Sequence, residues 1–93
     1  MNEVELTLDG NAIAGLLADL FGREMTIARS ACKACGAVED LGALTAYVHA
    51  PGVVIRCRHC ETVLIVVVRT RAAHRVAFAD LGWLELHDEL PDH

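Results

Sequence analysis

Two cysteine pairs with the same internal spacing, Cys32-Lys33-Ala34-Cys35 and Cys57-Arg58-His59-Cys60, constrain this chain more than any other feature. Two residues between cysteines let one tight turn aim both sulfurs at a single point. Two such turns on facing hairpins complete a tetrahedron of thiolates, the preferred structural site for Zn²⁺. The pairs stand 21 residues apart, slightly beyond the usual gap of about 15–20, and a hairpin around Pro51-Gly52 accommodates the difference. Gly36 follows the first pair, where freedom to take positive φ lets backbone amides turn toward the sulfurs. Glu61 holds the equivalent place in the second pair and is the less suitable turn residue. Arg29, Lys33, Arg56 and Arg58 lie close by in sequence, where cations lower thiol pKa values and offset the excess charge of four thiolates.

Disulfides are the competing use of four cysteines, and the expected compartment opposes them. The start, Met1-Asn2-Glu3-Val4-Glu5, is acidic, whereas a secretory signal opens on a basic stretch followed by an apolar run. The longest apolar run, Val63 to Val68, is far short of the roughly 20 residues that span a bilayer. His87-Asp88-Glu89-Leu90 spells a retention signal that is read only at the extreme C-terminus, and Pro91-Asp92-His93 follows it here. The expectation is a cytoplasmic protein without a membrane segment, whose thiols are reduced and bind metal. A redox C-x₂-C of the thioredoxin type needs a βαβ setting that neither pair has. One structural Zn²⁺ is the primary reading. Mononuclear iron, as in rubredoxin, takes the same four-thiolate geometry and stays open beside it.

Four cysteines leave no open coordination position, so the site is read as structural and the chain as no enzyme. Other candidates give way to plainer readings. His59 sits inside a knuckle and is read as facing solvent. Ser30, the only serine, has no histidine or acid in recognisable register. His87-Asp88-Glu89 matches half of a zinc-deaminase signature, but no P-C-x-x-C follows it. Asp9-Gly10-Asn11 is read as a helix start rather than an anion loop.

The secondary-structure pattern implies an α+β fold: an N-terminal amphipathic helix packed on a small antiparallel, zinc-ribbon-like β-sheet. Ile13, Leu16, Leu17, Leu20 and Phe21 recur at the spacing of one buried helical face, predicting a helix over about residues 10–21. Asp9 is its cap, and Gly22 ends it in a left-handed turn. Met25 to Arg29 reads as a short strand. Leu44 to His49 and Val53 to Cys57 read as a hairpin on a type II turn at Pro51-Gly52. Thr62 to Arg71 reads as a central strand covered on both faces, because neither face is polar. His74 to Ala79 returns from it, and Gly82 breaks the chain before Trp83-Leu84-Glu85-Leu86. Residues 1–86 form one domain, and residues 87–93 an acidic mobile tail.

Three stretches together resemble a family of small bacterial proteins known as a domain of unknown function and described as zinc-ribbon-like. They are Leu8-Asp9-Gly10-Asn11-Ala12-Ile13-Ala14-Gly15, the two cysteine pairs, and Leu81-Gly82-Trp83-Leu84-Glu85-Leu86. The resemblance covers about residues 6 to 86, and its most specific part is the Leu-Asp-Gly-Asn stretch. It implies the four cysteines as metal ligands and implies no activity.

Function is read from what the fold would leave over. A 93-residue chain buries roughly 60–70% of the surface its unfolded form exposes, a thin core of the kind that metals often staple. Yet 54% of the residues are apolar and mean hydropathy is +0.36, an excess that points to a partner or a second copy. One helix covers only one face of a sheet, and Trp83-Leu84-Leu86 makes an incomplete lid for the other. The leading expectation is therefore a structural-zinc protein-interaction module, forming a homodimer or binding a protein partner.

Nucleic-acid binding is the alternative. All eight basic residues lie between two acidic ends, and Arg56 with Arg58, and Arg69 with Arg71, are pairs at strand spacing. A net charge of −5 and only four aromatic residues weigh against it. The third alternative is an iron-containing redox accessory protein.

Overall fold

The computed structural model describes residues 6–49 and 52–86. Two antiparallel sheets and one short helix make up the fold, so it is α+β with sheet predominating. The chain opens on strand β1 (Leu6–Asp9) and a 3-10 turn over Gly10–Ile13, which leads into helix α1 (Ala14–Phe21). Strands β2 (Arg29–Cys32) and β3 (Val38–Asp40) flank the first cysteine pair, and a second 3-10 turn, Leu41–Ala43, follows. Strands β4 (Thr45–His49), β5 (Gly52–Arg56), β6 (Val63–Arg69), β7 (His74–Phe78) and β8 (Leu81–Glu85) complete it.

The first sheet has five strands in the order β1-β4-β5-β6-β7. One of its faces carries Ala46, Val53, Ile55, Ile65 and Val67, all buried, and the helical stripe packs into the same core through Ile13 and Leu17, with Leu16, Leu20 and Phe21 at its margin. The second sheet has three strands in the order β3-β2-β8. Here the C-terminal segment is a strand hydrogen-bonded to β2, with Leu84 opposite Ser30 and Trp83 opposite Ala31, and Leu81 and Leu84 pack against the core that includes Leu64 of β6. The expectation of one sheet is corrected to two. The partners of β2 and β8 lie far apart in the chain, and no local pattern encodes such a pairing.

The helix is bounded as expected but begins differently. The Asp9 carboxylate accepts from the Ala12 amide at 3.2 Å, so the cap holds a 3-10 turn and the α-helix starts only at Ala14. Gly22 ends it at φ 73°, its amide donating to the Ala18 carbonyl at 2.7 Å. Gly10 serves close approach: a side chain there would meet the Leu41 carbonyl oxygen at 1.9 Å, and its own amide donates to the Leu44 carbonyl. This contact between the two 3-10 turns explains the Asp9-Gly10-Asn11 stretch as architecture.

Met25 to Arg29 is not a strand; β2 begins where that segment was expected to end. Met25, Thr26 and Ala28 are buried, but the Met25 carbonyl accepts from Ala28 in a local turn, and the Thr26 and Ala28 carbonyls accept from Gly42 and Leu41 of the second 3-10 turn instead of from a ladder. The hairpin of β4 and β5 pairs Thr45 with Arg56 and His49 with Gly52; the type II turn expected on Pro51 lies outside the described residues. So does the tail expected over residues 87–93.

Strand β6 is hydrogen-bonded on both edges, to β5 and β7. Its coverage is uneven. Leu64, Ile65 and Val67 are buried, Val66 is half-buried, and Val68 is 36% exposed. Within the chain, the second face is thus closed at the cysteine end and opens progressively toward Arg69, so the chain's own coverage of that face is incomplete.

Candidate metal centre

Each sheet contributes one cysteine turn. Cys32 ends β2, and Cys35 lies in the turn before β3, so the first pair belongs to the three-stranded sheet. Cys57 and Cys60 occupy the turn from β5 to β6 in the five-stranded sheet. The four Sγ atoms lie within 4.8 Å of one another, with Cys32–Cys60 at 3.6 Å and Cys35–Cys57 at 3.7 Å. A disulfide needs about 2.05 Å, so all four are free thiols. Zn–S bonds of about 2.3 Å in a tetrahedron place sulfurs about 3.8 Å apart, and the two cross-turn distances fit that figure. The cluster is close enough to hold a metal ion.

The two turns are built alike. The Cys32 amide donates to the Ala37 carbonyl at 2.9 Å and the Gly36 amide to the Cys32 carbonyl at 2.8 Å. In the second turn the Cys57 amide donates to the Thr62 carbonyl and the Glu61 amide to the Cys57 carbonyl, both at 2.9 Å. Gly36 has φ 79° and Glu61 φ 65°. Glu61, the less suitable residue by type, adopts the left-handed conformation all the same. Arg56 helps hold it: its guanidinium donates to the Glu61 carbonyl at 3.0 Å and stacks 5.3 Å over the Tyr47 ring.

One sulfur of each turn is buried, Cys32 and Cys57, and one exposed, Cys35 and Cys60. The Ala37 amide draws the Cys35 thiol down, but desolvation and the neighbouring sulfurs of Cys57, Cys60 and Cys32 outweigh it and push the thiol up to about 12. The Thr62 hydroxyl, 3.1 Å from the Cys60 sulfur, and the Thr62 amide pull Cys60 down to about 6. Crowded sulfurs without a cation cannot all ionise together; a divalent ion removes that conflict. The His59 amide adds a 3.4 Å contact to the Cys57 sulfur.

His59 does not simply face solvent. Its Nε2 lies 2.7 Å from Glu39 Oε2, tying the second turn to β3 of the other sheet. The hydrogen bond from His59 holds the Glu39 carboxyl below its ordinary range. This clamp had no sequence signal, because Glu39 and His59 approach only once the two sheets meet. Ser30 is buried and donates to the Glu39 carbonyl at 2.9 Å, a structural role.

The arginines that could serve nucleic acid do not form one face. Arg56 ends β5 and Arg58 is in the cysteine turn, whereas Arg69 ends β6 and Arg71 is in the following turn. Six strand rises of about 3.3 Å separate the two groups by roughly 20 Å. Arg56 is already engaged with Glu61 and Tyr47, and Arg29 pairs with Asp40 at 3.5 Å. Among the described residues no helix is long and apolar enough to cross a membrane.

A family described as a family of unknown function (DUF6510) matches residues 3–89, and the chain belongs to it. No curated protein and no solved structure matches the chain.

Proposed function

We propose that this member of a family of unknown function is a structural-zinc module that binds protein, most simply a second copy of itself. The observation that carries the reading is the convergence of four thiols from turns of two different sheets within 4.8 Å. A metal there acts mechanically, stapling the sheets at the place where their turns meet. Zn²⁺ suits this because it is redox-inert, and four thiolates close its coordination shell. The chain's own residues do the rest. Gly36 and Glu61 turn the backbone toward the sulfurs, and the Glu39–His59 pair closes the gap beside them.

The interaction half of the proposal rests on the face of the five-stranded sheet opposite the helix. Register aligns Tyr47, Val54, Val66 and Ala77 directly across β4, β5, β6 and β7. None of the four is buried, and Val68 continues the apolar row toward the open end. An apolar row across four strands is the kind of surface that meets its own copy about a two-fold axis. The test is metal analysis and light scattering on protein purified without added metal. The expected result is a colourless protein with one zinc per chain that scatters as a dimer. A red, iron-containing sample would overturn the zinc assignment, and a monomer at all micromolar concentrations that captures no protein would overturn the interaction.

A further inference from the structure

At the end of the five-stranded sheet remote from the cysteines, a cleft of about 320 Å³ opens between α1 and the sheet. Leu16 of the helix and Val48, Val53 and Val67 of three adjacent strands form its walls, and Arg69 and His74 stand at its rim. Among the described residues the walls are mainly aliphatic. The rim is cationic: from Thr62 to Ala79 the chain carries Arg69, Arg71 and Arg75 and no acidic residue. Among the described residues no side chain of these arginines, nor that of His74, has an ion-pair or hydrogen-bond partner. A surface arginine at the mouth of an apolar cleft, with no carboxylate paired to it among the described residues, is complementary to an anion attached to an apolar body.

We propose that this cleft binds an aliphatic carboxylate of about ten carbons, its chain between α1 and the sheet and its head between Arg69 and His74. The size follows from the volume. At roughly 30 Å³ per methylene, about the volume share of a water molecule, 320 Å³ holds about ten carbons. The Arg69 guanidinium presents parallel N–H donors that match the two carboxylate oxygens, and the His74 ring supplies a third donor from the facing strand, where the two residues are directly paired. The site is independent of the metal's identity and of any dimer, since it lies on the helix side of the sheet.

The experiment is calorimetric titration of the full, metal-loaded chain with decanoate, octanoate and decan-1-ol, with amide NMR shifts to locate the site. Decanoate is expected to bind once per chain. Octanoate should bind about fifteenfold more weakly, at about fourfold per methylene, and decan-1-ol should lose about tenfold or more for want of a charged head. Arg69→Gln should weaken decanoate by a similar factor and leave decan-1-ol unchanged. Leu16→Trp, which fills the cleft, should abolish both; should that variant not fold, Val48→Phe serves, with zinc content and circular dichroism as the check. Shifts should centre on Val48, Val53 and Val67. Absence of saturable binding at millimolar decanoate, equal affinity for the alcohol, or shifts centred on Trp83 and Val38 would each overturn the proposal.

Discussion

Gly36 and Glu61 occupy the same place in two superficially different turns. Each follows the first cysteine of its pair by four residues, donates its amide to that cysteine's carbonyl, and sits in the left-handed region at φ 79° and φ 65°. A glycine takes this conformation without steric cost, whereas for other residues it costs about 1–2 kcal/mol. The second turn is therefore held in shape against its own residue type, by the Arg56 guanidinium on the Glu61 carbonyl and by the sulfur cluster.

Replacing Glu61 by glycine relieves that cost and keeps the backbone carbonyl that Arg56 uses. Glu61→Gly is expected to stabilise the metal-loaded protein by about 0.5–1 kcal/mol, after glycine's larger unfolded-state entropy is subtracted. Gly36→Ala is expected to destabilise it by about 1 kcal/mol. No atom lies within 4 Å of the added Cβ, so this cost is conformational only. Denaturant titration of both variants checks the opposite signs; equal and negligible effects would contradict them.

Removing the metal should separate the two sheets. Chelation, or Cys35→Ser, is expected to abolish cooperative unfolding, because structural zinc supplies roughly 10–16 kcal/mol of apparent binding energy against about 5–15 kcal/mol of net stability for a domain. Acid should act in the same direction, since protons compete with the metal for thiolates and fewer thiolates exist at lower pH. Circular dichroism with parallel metal analysis decides it: an unchanged melting temperature in metal-free protein is the result that refutes the prediction.

Two Gly→Ala changes, at Gly10 and Gly15, should have opposite signs. At Gly10 the new Cβ falls 1.9 Å from the Leu41 carbonyl oxygen, a backbone atom that no rotamer can move aside. Gly10→Ala is expected to cost about 3 kcal/mol or more, among the severe class of substitutions. Gly15 lies exposed in α1 with no atom within 4 Å of the added Cβ. There Gly15→Ala should stabilise by about 0.5–1 kcal/mol through helix propensity. Thermal melts of the two variants, each with zinc content confirmed, test the pair.

Val66→Glu places a charge in the middle of the apolar row Tyr47, Val54, Val66 and Ala77. Because Val66 is only half-buried, the side chain can reach water, and the fold should survive with the proposed zinc in place. In the dimer proposed above, self-association should fall at least tenfold, read as a shift toward monomer in concentration-dependent light scattering. An unchanged dimer would place the interface elsewhere.

Features that depend on short separations were legible in the order of residues alone. The C-x₂-C spacing predicted which four sulfurs would converge, because a two-residue gap in a tight turn has little freedom. The stripe from Ile13 to Phe21 and the end at Gly22 predicted the helix for the same reason, and the β-branched run from Val63 predicted the longest strand. Glu61 is the instructive case within that local class: its position, four residues after Cys57, was readable, while its residue type argued against the conformation it takes. Long-range packing decided how the strands divide into two sheets, that β8 pairs with β2, and that Met25 to Ala28 is a turn with Ile27 exposed instead of a strand. It also decided that the metal site is a junction between those sheets, that Glu39 meets His59, and that Arg56 and Arg69 lie at opposite ends of the molecule's main sheet. Turns and helices are closed by neighbours a few residues away, so sequence carries them. Strand partners and sheet faces are chosen by which distant surfaces bury one another best, and that choice exists only in the folded chain.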